Sequence, residues 1–199
     1  MPLRLLIFGR QGAGKGTQCE YLIEHYGAVH ISTGDMLRDA VAEGSELGVR
    51  AKKFMDAGEL LPDDLIVGIV RDRLAKPDVE SHGFILDGFP RTVAQAEALW
   101  EAAGDHIDLA VNIDVPLDEV KARMLGRGRD DDNDEAIERR LELYEQQTVP
   151  AIEWIGDRGK LVEVDGLGTP EQVRDRLIAA IGTATGNAAP GGTATGNAG

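Results

Sequence analysis

The residues with the most specific chemistry lie near the amino terminus: Gly9-Arg10-Gln11-Gly12-Ala13-Gly14-Lys15-Gly16-Thr17. Gly9, Gly14 and Lys15 have the spacing of a phosphate-binding P-loop. Phosphate oxygens need several backbone N–H groups turned inward, and side chains block that approach. Lys15 supplies a full positive charge for the outer phosphates. The strict pattern places Ser or Thr directly after the lysine. Here Gly16 holds that position, and the hydroxyl arrives one residue later at Thr17. A Gly-rich turn without a ligand is the competing reading, and the flanking elements weigh against it. Leu3-Arg4-Leu5-Leu6-Ile7-Phe8 is an apolar run ended by glycine, as in a buried strand of a parallel sheet. Beyond the loop, Cys19, Leu22, Ile23 and Tyr26 recur at i, i+3, i+4 and i+7, one face of a helix. The helix start adds free N–H groups and partial positive charge.

Two further groups of residues could work on the same phosphates. Phe84-Ile85-Leu86 is an apolar strand running into Asp87-Gly88-Phe89-Pro90-Arg91. A carboxylate at the end of a strand in a P-loop protein is the usual place for a magnesium-site acid; a turn carboxylate before Gly88 is the structural alternative. Arg127-Gly128-Arg129-Asp130-Asp131-Asp132-Asn133 combines two arginines with three acids, and a solvated charged loop is its structural alternative. In the next helix Ile137, Leu141, Tyr144 and Thr148 share a face. Arg139 lies opposite that stripe, in solvent, whereas Arg140 sits at its edge. An arginine turned toward the interior needs an anionic partner, so Arg140 leans functional.

The remaining elements position these groups. Ala28–Ile31 reads as a second strand, and Ser32-Thr33-Gly34-Asp35 as a helix start with Thr33 as N-cap and Asp35 as first-turn acid. No strand signal occurs from Ser32 to His82, so residues 32–61 read as a small helical insertion, with Pro62 opening the helix that follows. Thr92-Val93-Ala94-Gln95 matches a capping box. Leu109–Ile113 and Leu161–Val164 are further strands. Val149-Pro150 and the Trp154 region close the helix that carries Arg140. Thr169-Pro170-Glu171-Gln172 opens the last helix. From Gly182 the chain repeats Gly-Thr-Ala-Thr-Gly-Asn-Ala, with no charge, aromatic or large aliphatic residue through 199. Such a stretch cannot bury enough apolar surface to offset its ordering entropy, so 182–199 is expected to be a disordered tail.

Composition narrows the partners. The 199 residues suggest one main domain, and the net charge of −14 argues against nucleic acid or an anionic membrane. The single cysteine allows no intramolecular disulfide and no cysteine cluster for zinc. No signal peptide and no apolar run near membrane-spanning length is evident, so a soluble cytoplasmic protein is expected.

Taken together, these motifs resemble the adenylate kinases among the nucleoside monophosphate kinases. The likeness covers residues 3–181 and rests on the P-loop variant with glycine after lysine, on Ser32-Thr33-Gly34-Asp35-Met36-Leu37-Arg38, on Asp87–Arg91 with Gln95, and on Arg127, Arg129, Arg140 and Tyr144. The resemblance implies a P-loop three-layer α/β fold with a parallel five-stranded sheet. Its core comprises 1–31, 62–125 and 134–181, its monophosphate-binding insertion 32–61 and its short lid 126–133. It implies that Gly12, Ala13, Gly14, Lys15, Gly16 and Thr17 hold ATP, with Arg127 clamping from the lid and Gly168 against the adenine. Thr33, Arg38, the backbone of Glu59, Leu60 and Leu61, Gly88, Phe89, Pro90, Arg91 and Gln95 hold AMP. Arg129 and Arg140 face the AMP phosphate and the transferring group, and Asp87 holds magnesium through water. The implied reaction is reversible transfer from ATP to AMP giving two ADP, by a monomer without zinc. Gln11 stands where the family often has proline, and only Gly128 separates Arg127 from Arg129. A UMP/CMP kinase is the nearest alternative, and a non-catalytic nucleotide-binding module a more distant one. The family's pyrimidine members usually carry a small residue in place of Thr33, which favours AMP here.

Overall fold

A computed structural model describes residues 2–103, 106–127 and 134–186. Five parallel strands form one sheet in the order β2-β3-β1-β4-β5: β1 Leu3–Phe8, β2 Val29–Ser32, β3 Gly83–Asp87, β4 Leu109–Asp114 and β5 Leu161–Asp165. The expected α/β fold with an all-parallel five-stranded sheet is present. The central strand shows why the apolar run is continuous. Leu5 and Ile7 pack into one hydrophobic cluster, Leu6 and Phe8 into another on the opposite face. Both faces are covered, so no polar alternation appears.

Helices α1 (Lys15–Tyr26), α7 (Leu117–Arg127) and α10 (Pro170–Thr185) contribute Cys19, Leu22, Val120, Met124, Leu177 and Ile181 to the first cluster. The second is covered by α4 (Asp63–Leu74), α6 (Val93–Ala103) and α9 (Val149–Gly156), which contribute Ile66, Leu99 and Ile155. Helices α2 (Thr33–Ala42) and α3 (Glu46–Asp56) form the helical hairpin between β2 and α4, and α5 (Pro77–His82) is a short turn before β3. No strand lies between β2 and β3. That is the reason the chain reads as interrupted there.

Three local expectations are corrected. The N-cap of α2 is Ser32, whose hydroxyl accepts from the Asp35 N–H at 3.2 Å, whereas Thr33 is the first helical residue. The helix carrying Arg140, α8 (Asp134–Leu143), is not closed by Val149-Pro150: a single π turn, Tyr144–Thr148, links it directly to α9. Proline is tolerated there because it falls in the first turn of the new segment, where its missing N–H costs nothing. Helix α10 continues to Thr185 and buries Gly182, so the low-complexity composition begins inside the helix. The capping box at its start, Thr169 with Gln172, is present.

Candidate active site

The carboxyl ends of the strands open into a cleft of about 680 Å³, the place where open α/β sheets bind ligands. One wall is the P-loop. Gly14 caps α1 at φ +92°, turning the loop so that it meets the helix start. A side chain at Gly12 would come within 2.7 Å of the Val120 carbonyl. Glycine therefore serves here for close packing against α7 as well as for ligand access. Gly12, Gly14, Lys15, Gly16 and Thr17 all line the cleft, while Ala13 is buried beneath it. Lys15 Nζ donates to the carbonyls of Gly9 and Arg10 at 2.8 and 3.3 Å. The loop thus holds its own lysine, ready to exchange carbonyls for phosphate oxygens. Arg10 anchors the loop from behind, donating to Glu145 at 2.8 Å and to Asp114 at 3.1 Å.

Opposite the P-loop lie three guanidinium groups. Arg38 on α2, Arg91 after β3 and Arg140 on α8 line the main cleft and a smaller pocket of about 70 Å³ continuous with it in residues. Arg91 Nε donates to the Gly88 carbonyl at 2.8 Å, and Arg140 donates to the Met55 carbonyl at 3.0 Å. Desolvation pushes Arg91 below its ordinary range; Asp87 opposes this, while the charges of Arg140 and Arg38 add to it. Three cations that repel one another at the floor of a cleft are the electrostatic imprint of an anion site.

The smaller pocket is framed by Thr33, Glu59, Leu60, Leu61, Gly88 and Gln95. Thr33 Oγ1 donates to the Gly88 carbonyl at 3.0 Å, tying α2 to the turn after β3. A side chain at Gly88 (φ +81°) would lie 2.6 Å from that hydroxyl. Gln95 receives the Arg91 N–H at 2.7 Å and donates to Asp63 at 2.7 Å. The expected capping box is therefore modified: Thr92 accepts from the Gln95 N–H, but the Gln95 side chain takes the N–H of Arg91 rather than that of Thr92. Pro90, after a cis peptide bond, lines the main cleft, and Phe89 is buried in the core. Asp87 ends β3 at the cleft, paired in register with Ile7 and Ser32 of the neighbouring strands.

Not every expected residue reaches the cleft. Gly168 lies in the loop before α10 and is not part of its lining; Gln172 and Arg176 close over it. Arg127 is the last residue of α7; its side chain, and the whole of Arg129, fall outside the described residues. Arg139 is not simply solvated. It donates to Glu59 and to Glu142, both at 2.7 Å, and so joins α8 to the segment closing the insertion. One cleft residue escapes the sequence reading, and a second, Tyr144, reads there as part of an apolar helical face without a place in the site. Arg123 lines the cleft one helical turn before Arg127, and that i, i+4 spacing was its available signal. Tyr144 donates to Asn112 at 3.1 Å from the π turn, which no sequence pattern announced.

A parallel sheet with a P-loop at one wall of its carboxyl-end cleft and an arginine cluster at the other defines a phosphotransferase of the P-loop α/β class. Comparison with known proteins narrows it. The family model described as Adenylate kinase matches residues 7–160. The chain is 47% identical over 185 residues to the adenylate kinase of Leptospira biflexa, covering 89% of this chain and 99% of that protein. It is 46% identical to adenylate kinase 1 of Nostoc sp. over 183 residues and to an adenylate kinase of Stenotrophomonas maltophilia over 186 residues, each covering 90% of this chain and 99% of the relative. The chain belongs to the adenylate kinase family.

Proposed function

We propose that the protein catalyses reversible transfer of the terminal phosphoryl group of ATP to AMP, giving two ADP. One observation carries this reading: a single cleft joins the P-loop to a cluster of three guanidiniums, so two phosphate groups can be held facing each other. A module that only bound nucleotide would need one phosphate site.

In this reading the N–H groups of Gly12 to Thr17 cradle the ATP phosphates, and Lys15 follows the transferred group. Arg123 and Arg127 on α7 close over the nucleotide. Arg38, Arg91 and Arg140 take the AMP phosphate, joined by Arg129. Thr33, Gly88, Gln95 and the backbone of Glu59 to Leu61 receive the AMP nucleoside. Phe89 and Pro90 shape the turn that delivers Arg91. Transfer is direct and in line, without a covalent enzyme intermediate. The transition state spreads negative charge over the moving group, so catalysis is mainly positioning and cation placement. Arginine suits this because its planar fork holds two phosphate oxygens at once.

The donor set fits magnesium. The Asp87 carboxylate and Thr17 hydroxyl line the same cleft, and hard oxygen donors are what magnesium takes, usually with several waters retained. When bound with ATP, magnesium neutralises charge on the phosphate oxygens; Asp87 orients its water shell.

The test is initial-rate phosphoryl transfer from magnesium-ATP to AMP, UMP, CMP and GMP in parallel, with Lys15→Ala as control. Strong preference for AMP, lost in the control, is expected. Preference for UMP or CMP overturns the assignment of the acceptor. Absence of transfer to every acceptor, with ATP still bound, overturns the reaction.

A further inference from the structure

Beside the P-loop, three metal-ligating side chains from three packed elements converge. Cys19 on α1, His30 on β2 and Asp87 at the end of β3 present a sulfur, a ring nitrogen and a carboxylate oxygen that all lie within 4.8 Å of one another. His30 Nε2 is buried without a hydrogen-bond partner among the described residues. The nearest Asp87 oxygen is 3.9 Å away, beyond hydrogen-bond reach. A buried, unsatisfied ring nitrogen is costly and calls for an explanation. Nothing proposed for phosphoryl transfer uses Cys19 or His30.

We infer that Cys19, His30 and Asp87 form a site for a borderline-soft divalent cation such as zinc, whose occupancy withdraws Asp87 from hydrated magnesium and inhibits phosphoryl transfer. The inhibitory half rests on the role proposed above for Asp87. The ligand chemistry discriminates between the two ions. A thiolate and an imidazole suit zinc, whereas magnesium takes oxygen and keeps its waters.

The charges also balance. A thiolate and a carboxylate offset the two positive charges of the cation, and the imidazole binds neutral. Cation binding breaks the S–H bond, forms the sulfur–metal bond and releases one proton to solvent.

Geometry requires a modest contraction. Zinc bonds of about 2.0–2.3 Å place tetrahedral ligand atoms about 3.4–3.6 Å apart. Cys19 is fixed in the core, fully buried. His30 and Asp87 line the cleft and are only partly buried, so their side chains make the adjustment. Their position leaves the remaining coordination site facing the cleft, where water or a phosphate oxygen completes it.

Cobalt(II) is the probe, titrated into the chelator-treated full chain. Cys19 is the only cysteine, so a sulfur-to-cobalt charge-transfer band has a single possible source. One equivalent is expected to produce the band in the wild type. The band is expected to vanish in Cys19→Ala, and His30→Gln is expected to bind cobalt at least about tenfold more weakly. Zinc added at fixed magnesium is expected to slow phosphoryl transfer by the wild type, and both variants are expected to keep their own zinc-free rates. No band in the folded wild type, or zinc inhibition undiminished in both variants, overturns the proposal. Asp87→Asn separates the two readings. If it weakens cobalt binding while leaving magnesium dependence unchanged, the magnesium role of Asp87 fails and the soft-metal site stands.

Discussion

Lys15 and Arg91 face each other across the cleft and differ in how they are held. Lys15 rests on two carbonyls of its own loop, while Arg91 is fixed by the Gly88 carbonyl and crowded by two other guanidiniums. Removing either charge takes away a preorganised donor to a developing negative charge, worth about 3 kcal/mol, or roughly 100-fold in kcat/KM. Lys15→Ala and Arg91→Ala are expected to show that loss in steady-state transfer to AMP. Arg91→Lys is expected to recover little, because an ammonium keeps the charge and loses the fork. Cys19 makes a contrasting case. It is buried, and its thiol is held above the ordinary range. Thiolate is the reactive form, so iodoacetamide at neutral pH is expected to leave the folded protein unmodified and to label it on unfolding.

The turn from β3 into α6 connects several parts of the site. Gly88 sits between Thr33 and Arg91, and its φ of +81° is one that side chains avoid. Gly88→Ala forces a clash with Thr33 and a strained backbone costing on the order of 1–3 kcal/mol. The expected result is a raised KM for AMP with a smaller change in KM for ATP, measured with each substrate varied in turn. A second element-scale effect concerns α4 and α5, joined by Arg73, which donates to both Asp78 oxygens at 3.0 and 2.8 Å. That pairing lowers the Asp78 carboxyl below its ordinary range. A group lowered in the folded state contributes stability above its unfolded pKa of about 3.9 and loses it as pH falls through the folded value. Asp78→Asn is therefore expected to lower the thermal midpoint at neutral pH, with the gap to the wild type closing in acid. The pair is exposed, so the gap is expected to be small.

For the molecule as a whole, the cleft joins the core to the helical hairpin α2–α3, and Arg139 links α8 to Glu59 at the end of that hairpin. A ligand spanning both phosphate sites binds only the folded chain. At about 100 times its Kd such a ligand stabilises by about 2.7 kcal/mol. For a chain of this size that corresponds to a rise of about 5–10 °C in thermal midpoint. A dinucleotide bridging adenosines through five phosphates is expected to produce that rise, and Lys15→Ala to lose most of it. A rise of equal size with ATP alone would show that the second phosphate site contributes nothing.

What the sequence determined by itself is the part written in local patterns. The apolar run Leu3–Phe8, the spacing of Gly9, Gly14 and Lys15, and the acid ending β3 placed a strand, a phosphate loop and a cleft residue before any fold was known. These signals are local because a parallel strand and a helix start each encode their own burial and hydrogen bonding within a few residues. Arg140 was legible for the same reason, from its place at the edge of an apolar helical face. The tertiary structure decided what depends on partners distant in the chain. Thr33 looked like a cap until the Gly88 carbonyl, 55 residues away, proved to hold its hydroxyl. Arg139 looked solvated until Glu59, 80 residues away, came within 2.7 Å. The π turn at Tyr144 has no periodic signature, because one extra residue in a helix is stabilised by the packing around it. Cys19 read as one residue of an apolar helix face, His30 as part of a strand and Asp87 as a magnesium-site acid, each without reference to the others. Only the stacking of α1 on the sheet and the register of β2 beside β3 bring their ligand atoms together.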